Sequence, residues 1–192
     1  MYERKENSES VEGRFANPAS SFAAVCFDWL ESLVQAAVLV SVLFVFFYRG
    51  VNVDGESMLD TLHDGDKLVV RKFNYKPQNN DIVIVSPVNQ LDKPIVKRVI
   101  ATEGQTLSID FSKNEVIVDG KKLNENYIYE PMIATGDGDI PSVIPAGHTF
   151  VMGDNRNNSL DSRYKAVGVV PNDKIVGKAV YRFFPFDRIG VI

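Results

Sequence analysis

Residues 29–48 read WLESLVQAAVLVSVLFVFFY. As an α-helix rising about 1.5 Å per residue, a stretch of this length covers roughly 30 Å, the thickness of a bilayer's hydrocarbon core. Glu31 and Gln35 are its only strongly polar members, and from Val38 to Phe47 there is one hydroxyl, Ser41, and no polar face. A helix that is apolar all round suits lipid or a deep interior, not a surface. Trp29 at one end, and Tyr48 with Arg49 at the other, have the amphipathic character of interfacial anchors. A buried core helix and a cleaved secretory signal are the competing readings. The long polar segment in front and the lack of a small-x-small site after Tyr48 weigh against the signal. The pattern predicts a membrane-spanning helix over 29–48.

Ahead of it, residues 1–28 form a tail. Its first 20 residues mix Glu3, Arg4, Lys5, Glu6, Glu9, Glu12 and Arg14 with Ser, Asn and Pro, without period, as in a flexible segment. Because both signs of charge are present, the positive-inside rule assigns no orientation. Behind the span the texture changes to short β-type runs. KLVVRKF (67–73), DIVIV (81–85), PIVKRVIA (94–101), TLSID (106–110), EVIVDGKKL (115–123), TFVM (149–152) and IVGKAVYRFF (175–184) all fit strands. Asp119-Gly120 is a hairpin turn signal. Residues 124–148 are rich in Pro, Gly, Asp and Asn, so about 104–148 reads as a hairpin and irregular-loop insertion within a domain over 49–192.

The whole chain agrees with one domain and an anchor. Its 192 residues are 45% hydrophobic and 24% charged, which argues against a disordered, collagen-like or polytopic chain. A net charge of −4 is unsuited to broad nucleic-acid binding, which needs clustered Lys and Arg. One cysteine, Cys26, and two histidines, His63 and His148, cannot build a disulfide framework or a His/Cys metal cage. Cys26 reads as a small apolar residue near a membrane interface, with lipidation or redox chemistry as alternatives.

Three blocks in the β region carry reactive side chains. The first is Asp54-Gly55-Glu56-Ser57-Met58-Leu59-Asp60-Thr61-Leu62. A serine near a glycine can approach a carbonyl and expose N–H groups to a developing oxyanion, or it can be a turn residue. The second is Pro94-Ile95-Val96-Lys97-Arg98-Val99-Ile100, where period two sets Lys97 with Ile95 and Val99, and Arg98 with Val96 and Ile100. A lysine on an apolar strand face is an edge guard or a buried amine. Burial disfavours the ammonium, lowers its pKa and makes a neutral base able to take a serine's proton. The third block, Gly153-Asp154-Asn155-Arg156-Asn157-Asn158-Ser159-Leu160-Asp161-Ser162-Arg163, is too polar for core. It is a solvated loop or a network that fixes another site, and Asp161 and Arg163 can pair locally. A Ser–His–Asp triad is the rival chemistry, but LHDGD and PAGHT place both histidines in polar, loop-like segments.

In their order these blocks resemble the type I signal peptidases, membrane-anchored Ser–Lys endopeptidases that remove signal peptides from exported proteins. That family carries a transmembrane helix, then Ser-Met-x-Pro-Thr-Leu, Gly-Asp-x-Val-x-Val, Lys-Arg-Val-Ile and Gly-Asp-Asn-Arg-x-Asn-Ser-x-Asp-Ser-Arg blocks. Here they stand as SMLDTL (57–62), GDKLVV (65–70), KRVIATEGQ (97–105) and GDNRNNSLDSR (153–163), with Gly168-Val169-Val170 following. The resemblance covers the span and almost all of the domain. It implies a mainly β, signal-peptidase/LexA-like domain behind a single N-terminal transmembrane helix, tail inside and catalytic domain at the outer face of the cytoplasmic membrane.

The resemblance also implies roles. Ser57 matches the nucleophile and Lys97 the general base, with Met58 shaping the cleavage pocket. Ser159 matches a hydroxyl that orients the lysine amine. Asp154 with Arg98, and Asp161 with Arg163, match bracing pairs. The Ser57 N–H would bind the oxyanion, and Gly55 stands where some members add a serine hydroxyl. No metal or cofactor is implied. The expected partners are signal peptides of exported preproteins, cut after Ala-x-Ala, with membrane lipid and the secretion machinery nearby and no nucleic acid. Asp60 replaces a proline of the family block, and Ala101 and Glu103 replace a glycine and a proline. Those departures loosen the loops, and the altered turn at Asp60 motivates an alternative, a catalytically idle, membrane-tethered β domain that binds exported peptides. Self-cleaving LexA-type repressors share the Ser–Lys fold, but the span at 29–48 and the lack of a DNA-binding segment set this chain apart.

Overall fold

A computed structural model describes residues 18–192, which divide into two compact units, one ending at Phe44 and one running Val45–Ile192. The tail reading at residues 1–17 and the anchoring side chain of Tyr48 lie outside what is described. Helix α1 spans Pro18–Phe47, so residues 18–28, assigned to the tail from sequence, are helical. Proline is favoured at a first helical position, where its missing N–H is no loss. Beyond Pro18 the segment contains neither Pro nor Gly until Gly50, so no residue breaks the helix earlier. Within it, Phe22–Val42 is long and apolar enough to cross a membrane. Some of its polar side chains bond back within the helix. Gln35 Nε2 donates to Glu31 Oε1 one turn back at 3.0 Å, and Ser41 Oγ donates to the Ala37 carbonyl at 2.8 Å.

The second unit is β. Its strands are β1 (Tyr48–Asn52), β2 (Lys67–Arg71), β3 (Ile82–Val85), β4 (Ile95–Thr102), β5 (Leu107–Asp110), β6 (Glu115–Val118), β7 (Lys121–Lys122), β8 (His148–Met152), β9 (Val170–Pro171), β10 (Ile175–Phe184) and β11 (Gly190–Val191). An eight-stranded sheet has the order β1-β2-β10-β3-β4-β8-β9, with β11 beside β10, and every pairing is antiparallel. Strands β5, β6 and β7 form a separate three-stranded sheet. There Val118 pairs with Lys121, and Asp119 and Gly120 both take positive φ, the geometry that an Asp-Gly hairpin turn needs. Strands β1, β9 and β11 have no strong sequence signal. YRGVN reads as the end of a span, and two-residue strands are too short to show a period.

Alternation along β3 sends Ile82 and Ile84 into one apolar cluster with Val96 and Met58, and Val83 and Val85 into another with Val99 and Val151. Both faces of this part of the sheet are therefore packed. Fully burying an aliphatic side chain stabilises by roughly 1.5–3 kcal/mol, so β3 and β4, buried along nearly their whole length, are firmly held beneath the site. A third cluster joins Ile100 and Phe150 to Leu107, Val116 and Val118 of the smaller sheet.

Candidate active site

Ser57 lies in the turn that follows β1. The ladder between β1 and β2 runs one step past Asn52, because Val53 N–H donates to the Asp66 carbonyl at 2.8 Å and Gly65 N–H to that of Val53 at 3.0 Å. This neck closes the 54–64 loop. Inside it Gly55 adopts φ +91°, a left-handed conformation natural to glycine, and its N–H donates to Asp64 Oδ1 at 2.8 Å. Met58 and Leu62 are fully buried, and the Leu62 N–H donates to the Met58 carbonyl at 2.8 Å. With its successor driven into the core, Ser57 is left half-buried at the rim. The Leu59–Asp60 peptide is cis.

Lys97 comes from β4, opposite Val83 of β3. Because β4 lies between β3 and β8, the edge-guard reading fails, and Lys97 is the buried amine, only 2% exposed. Its Nζ stands 2.6 Å from Ser57 Oγ and donates to the Val96 carbonyl at 3.0 Å. Burial lowers the Lys97 pKa from the ordinary 10.5 to about 8, against the opposing pull of the Asp161 and Asp154 charges. Deprotonated, the nitrogen can accept where the ammonium donates.

The 153–163 loop leaves β8 and closes over both residues. An added Cβ at Gly153 would run into the Ser159 side chain and the Ser57 carbonyl, so only glycine allows the approach. Asp161 is fully buried and grips Arg163 through two bonds, Nε to Oδ1 and Nη2 to Oδ2, both 2.9 Å. Asp161 Oδ2 also accepts the Gly153 N–H at 3.0 Å and the Ser159 hydroxyl at 2.7 Å. Ser159 thus gives its proton to Asp161, and its link to Lys97 runs through that carboxylate's charge. Arg98 Nε and Nη2 donate to Asp154 Oδ1 and Oδ2 at 2.8 and 2.6 Å, and Thr61 Oγ1 donates to the same Oδ2. Tyr127 lies under the Arg98 guanidinium, 4.0 Å from ring centroid to carbon.

A groove of about 370 Å³ opens on Ser57 and Lys97, with Val51, Val53, Met58, Ile84, Ile95 and Val96 in its wall. The Asp60 carboxylate is exposed and faces His63 at 3.5 Å, while His148 Nδ1 meets the Ala146 carbonyl. Neither histidine is a hydrogen-bond partner of Ser57. Ala101 is buried in β4, and Glu103 accepts the Gly147 N–H at 2.6 Å, so the two departures after the lysine strand are packed or bonded.

Sequence reasoning passed over Asn155, Arg156 and Glu125. Asn155 N–H donates to the Ser57 carbonyl at 3.1 Å and its Nδ2 to that of Glu56 at 3.2 Å. Arg156 pairs with Glu125 at 2.5 Å, both nearly buried. The Asn-rich run at 155–158 hinted at side chains bonding backbone, whereas nothing around Glu125 marked it for burial.

Residues 26–184 match the family model described as signal peptidase, peptidase S26. A probable signal peptidase I-1 of Synechocystis sp. is 39% identical over 170 residues, covering 82% of this chain and 83% of that protein. Signal peptidase I T of Bacillus subtilis is 36% identical over 173 residues, covering 84% and 87%. A crystal structure of a signal peptidase I from Enterococcus faecalis V583 aligns with TM-score 0.41 at 30% identity, covering 54% of this chain and 97% of that one.

Proposed function

The chain belongs to the signal peptidase family, peptidase S26, and is a serine endopeptidase; from that premise we propose that Ser57 and Lys97 are its reacting pair. The observation that carries the reading is the 2.6 Å approach of a buried, pKa-lowered amine to the serine hydroxyl. Neutral Lys97 takes the Ser57 proton as Oγ attacks the substrate carbonyl carbon. The oxyanion of the tetrahedral intermediate faces the Ser57 N–H. Lys97 then passes its proton to the leaving amine, and the C–N bond breaks. A water, deprotonated by the same amine, attacks the acyl ester and frees Ser57. Asp161 with Arg163, and Asp154 with Arg98, hold the loop and strand around the pair, with Ser159 tied to Asp161.

The substrates on this reading are signal peptides of exported preproteins. The substrate lies as an added strand along residues 51–54 and 93–97, and the aliphatic wall favours small residues, Ala-x-Ala, before the cut. Helix α1 serves as the single membrane anchor, with the tail inside and the 49–192 domain outside, beside lipid and the secretion machinery. The idle-domain alternative rested on Asp60, whose exposed carboxylate turns to His63 and not to Ser57. The test is processing of an exported precursor by the full chain in detergent. Ser57→Ala and Lys97→Ala should each cut at least about a thousandfold more slowly than wild type. Normal processing by either variant would sink the mechanism.

A further inference from the structure

An acyl transfer is accelerated most by donors already aimed at the place where negative charge develops. The nucleophile's own backbone N–H is such a donor, and among the described residues no hydrogen bond of the fold takes it. Where that N–H points is decided by what holds the carbonyl of Glu56. A trans peptide is one rigid plane, in which the carbonyl of one residue and the N–H of the next face opposite ways. Two donors hold Glu56 O: the Leu59 N–H at 3.2 Å, within the turn, and Asn155 Nδ2 at 3.2 Å, from the 153–163 loop.

Asn155 does more than this one bond. Its own N–H donates to the Ser57 carbonyl at 3.1 Å, so it grips the peptide planes on both sides of the Ser57 Cα. Its Oδ1 accepts the Asn158 N–H at 3.3 Å, which leaves the amide NH₂ as the end facing Glu56. Asn155 is 4% exposed, which keeps water from competing for these contacts. None of its bonds reaches Lys97.

We infer that Asn155 is a positioning residue of the oxyanion pocket: it fixes the Glu56–Ser57 peptide so that the Ser57 N–H faces the scissile carbonyl oxygen. The inference rests on the reading of Ser57 as nucleophile. A residue of this kind acts on the transition state, leaving ground-state binding and the base's titration alone.

The experiment uses the full chain in detergent micelles, with a cleavable peptide ending in Ala-x-Ala before the cut, the matching peptide boronic acid, and an uncleavable analogue of the substrate. For Asn155→Ala the expected result is a fall in kcat of about a hundredfold with KM within threefold of wild type. The boronic acid, which forms a tetrahedral adduct on Ser57, should lose affinity by a similar factor while the uncleavable peptide keeps its own. The ascending limb of the pH profile should stay in place. Unchanged kcat and boronate affinity would overturn the inference, as would a loss carried mainly in KM or accompanied by a moved pH limb. If Asn155→Ala does not fold, Asn155→Ser carries the same test, because it adds no charge, keeps the backbone N–H on the Ser57 carbonyl and removes the amide donor that reaches Glu56. Ser57→Ala, assayed in parallel, separates the two ideas. Activity in that variant ends the nucleophile reading, whereas an inactive Ser57→Ala beside a fully active Asn155→Ala ends this inference alone.

Discussion

At the scale of single residues, the Lys97 ammonium gives up water for a hydroxyl and one carbonyl, and that exchange sets its pKa near 8. Only the neutral amine can act as base, so kcat/KM should rise with pH and level off above about 8. Each unit below that costs about tenfold, leaving roughly 1% of the plateau at pH 6. A rate flat from pH 6 to 9, with chemistry limiting, would contradict a lysine base. The same shift acts on stability. The folded pKa lies below the unfolded 10.5, so between about 8 and 10.5 the unfolded chain binds more protons and stability rises with pH. The slope is at most about 1.4 kcal/mol per unit. Urea midpoints at pH 8 and 10 should therefore diverge in the wild type and draw together in Lys97→Met. Gly153 is a second sensitive position. Gly153→Ala pushes a methyl into the Ser159 side chain and the Ser57 carbonyl, both tied into buried networks, and should abolish detectable cleavage. Wild-type turnover in that variant would show that the loop has room the geometry does not give it.

Among the elements, the 153–163 loop organises what surrounds it. Residues 124–141 contain no strand, and several of their backbone groups find partners in this loop, whereas residues 142–144 bond back to 104–107. Asn157 Oδ1 accepts the N–H groups of Ile133 and Ala134, Arg163 Nη1 donates to the Ala134 carbonyl, and Tyr129 N–H donates to that of Asp154. Arg156 adds the buried pair with Glu125. Removing one member of such a pair strands the other's charge and costs about 3–5 kcal/mol, whereas neutralising both is far milder. Arg156→Met should lower the urea midpoint accordingly and open residues 124–134 to proteolysis, and adding Glu125→Gln should recover most of the loss. Equal stability of the single and double variants would mean that the pair is not what holds the segment. These elements also show what a sequence makes visible. The strands around Lys97 were legible because period-two alternation and β-branched residues act locally, and Asp119-Gly120 announces its turn. The burial of Lys97 was not legible, since edge guard and buried amine share one pattern and only the place of β4 between β3 and β8 separates them. The helix start at Pro18 was hidden by reading hydrophobicity, which marks where lipid can lie and not where a backbone can coil. The Ser159–Asp161 bond escaped because hydrogen bonds inside an all-polar loop leave no periodicity.

For the molecule as a whole, the uneven spread of apolar residues, averaged to a mean hydropathy of −0.08, resolves into two units with different solvents. Every fully buried apolar side chain among the described residues lies between Val53 and Ala179, and all three core clusters draw on the β unit alone. The described side chains of α1 are exposed, which agrees with the reading of that helix as a membrane anchor. Ser57, Lys97 and their braces also belong to the β unit. Its stability and its chemistry should then be separable from the anchor. A chain of residues 45–192 keeps β1 paired along β2 and should unfold cooperatively, with a urea midpoint near that of the full chain in detergent. It should cleave a soluble Ala-x-Ala peptide with kcat within about threefold of the full chain. On a precursor embedded in vesicles it should lose at least tenfold, because the anchor no longer raises the local concentration of enzyme at the surface. The aromatics Phe183, Phe184 and Phe186 stay exposed in this piece, so some affinity for detergent and lipid should persist without α1. A truncated chain without a cooperative transition would place part of the fold's stability in the helix.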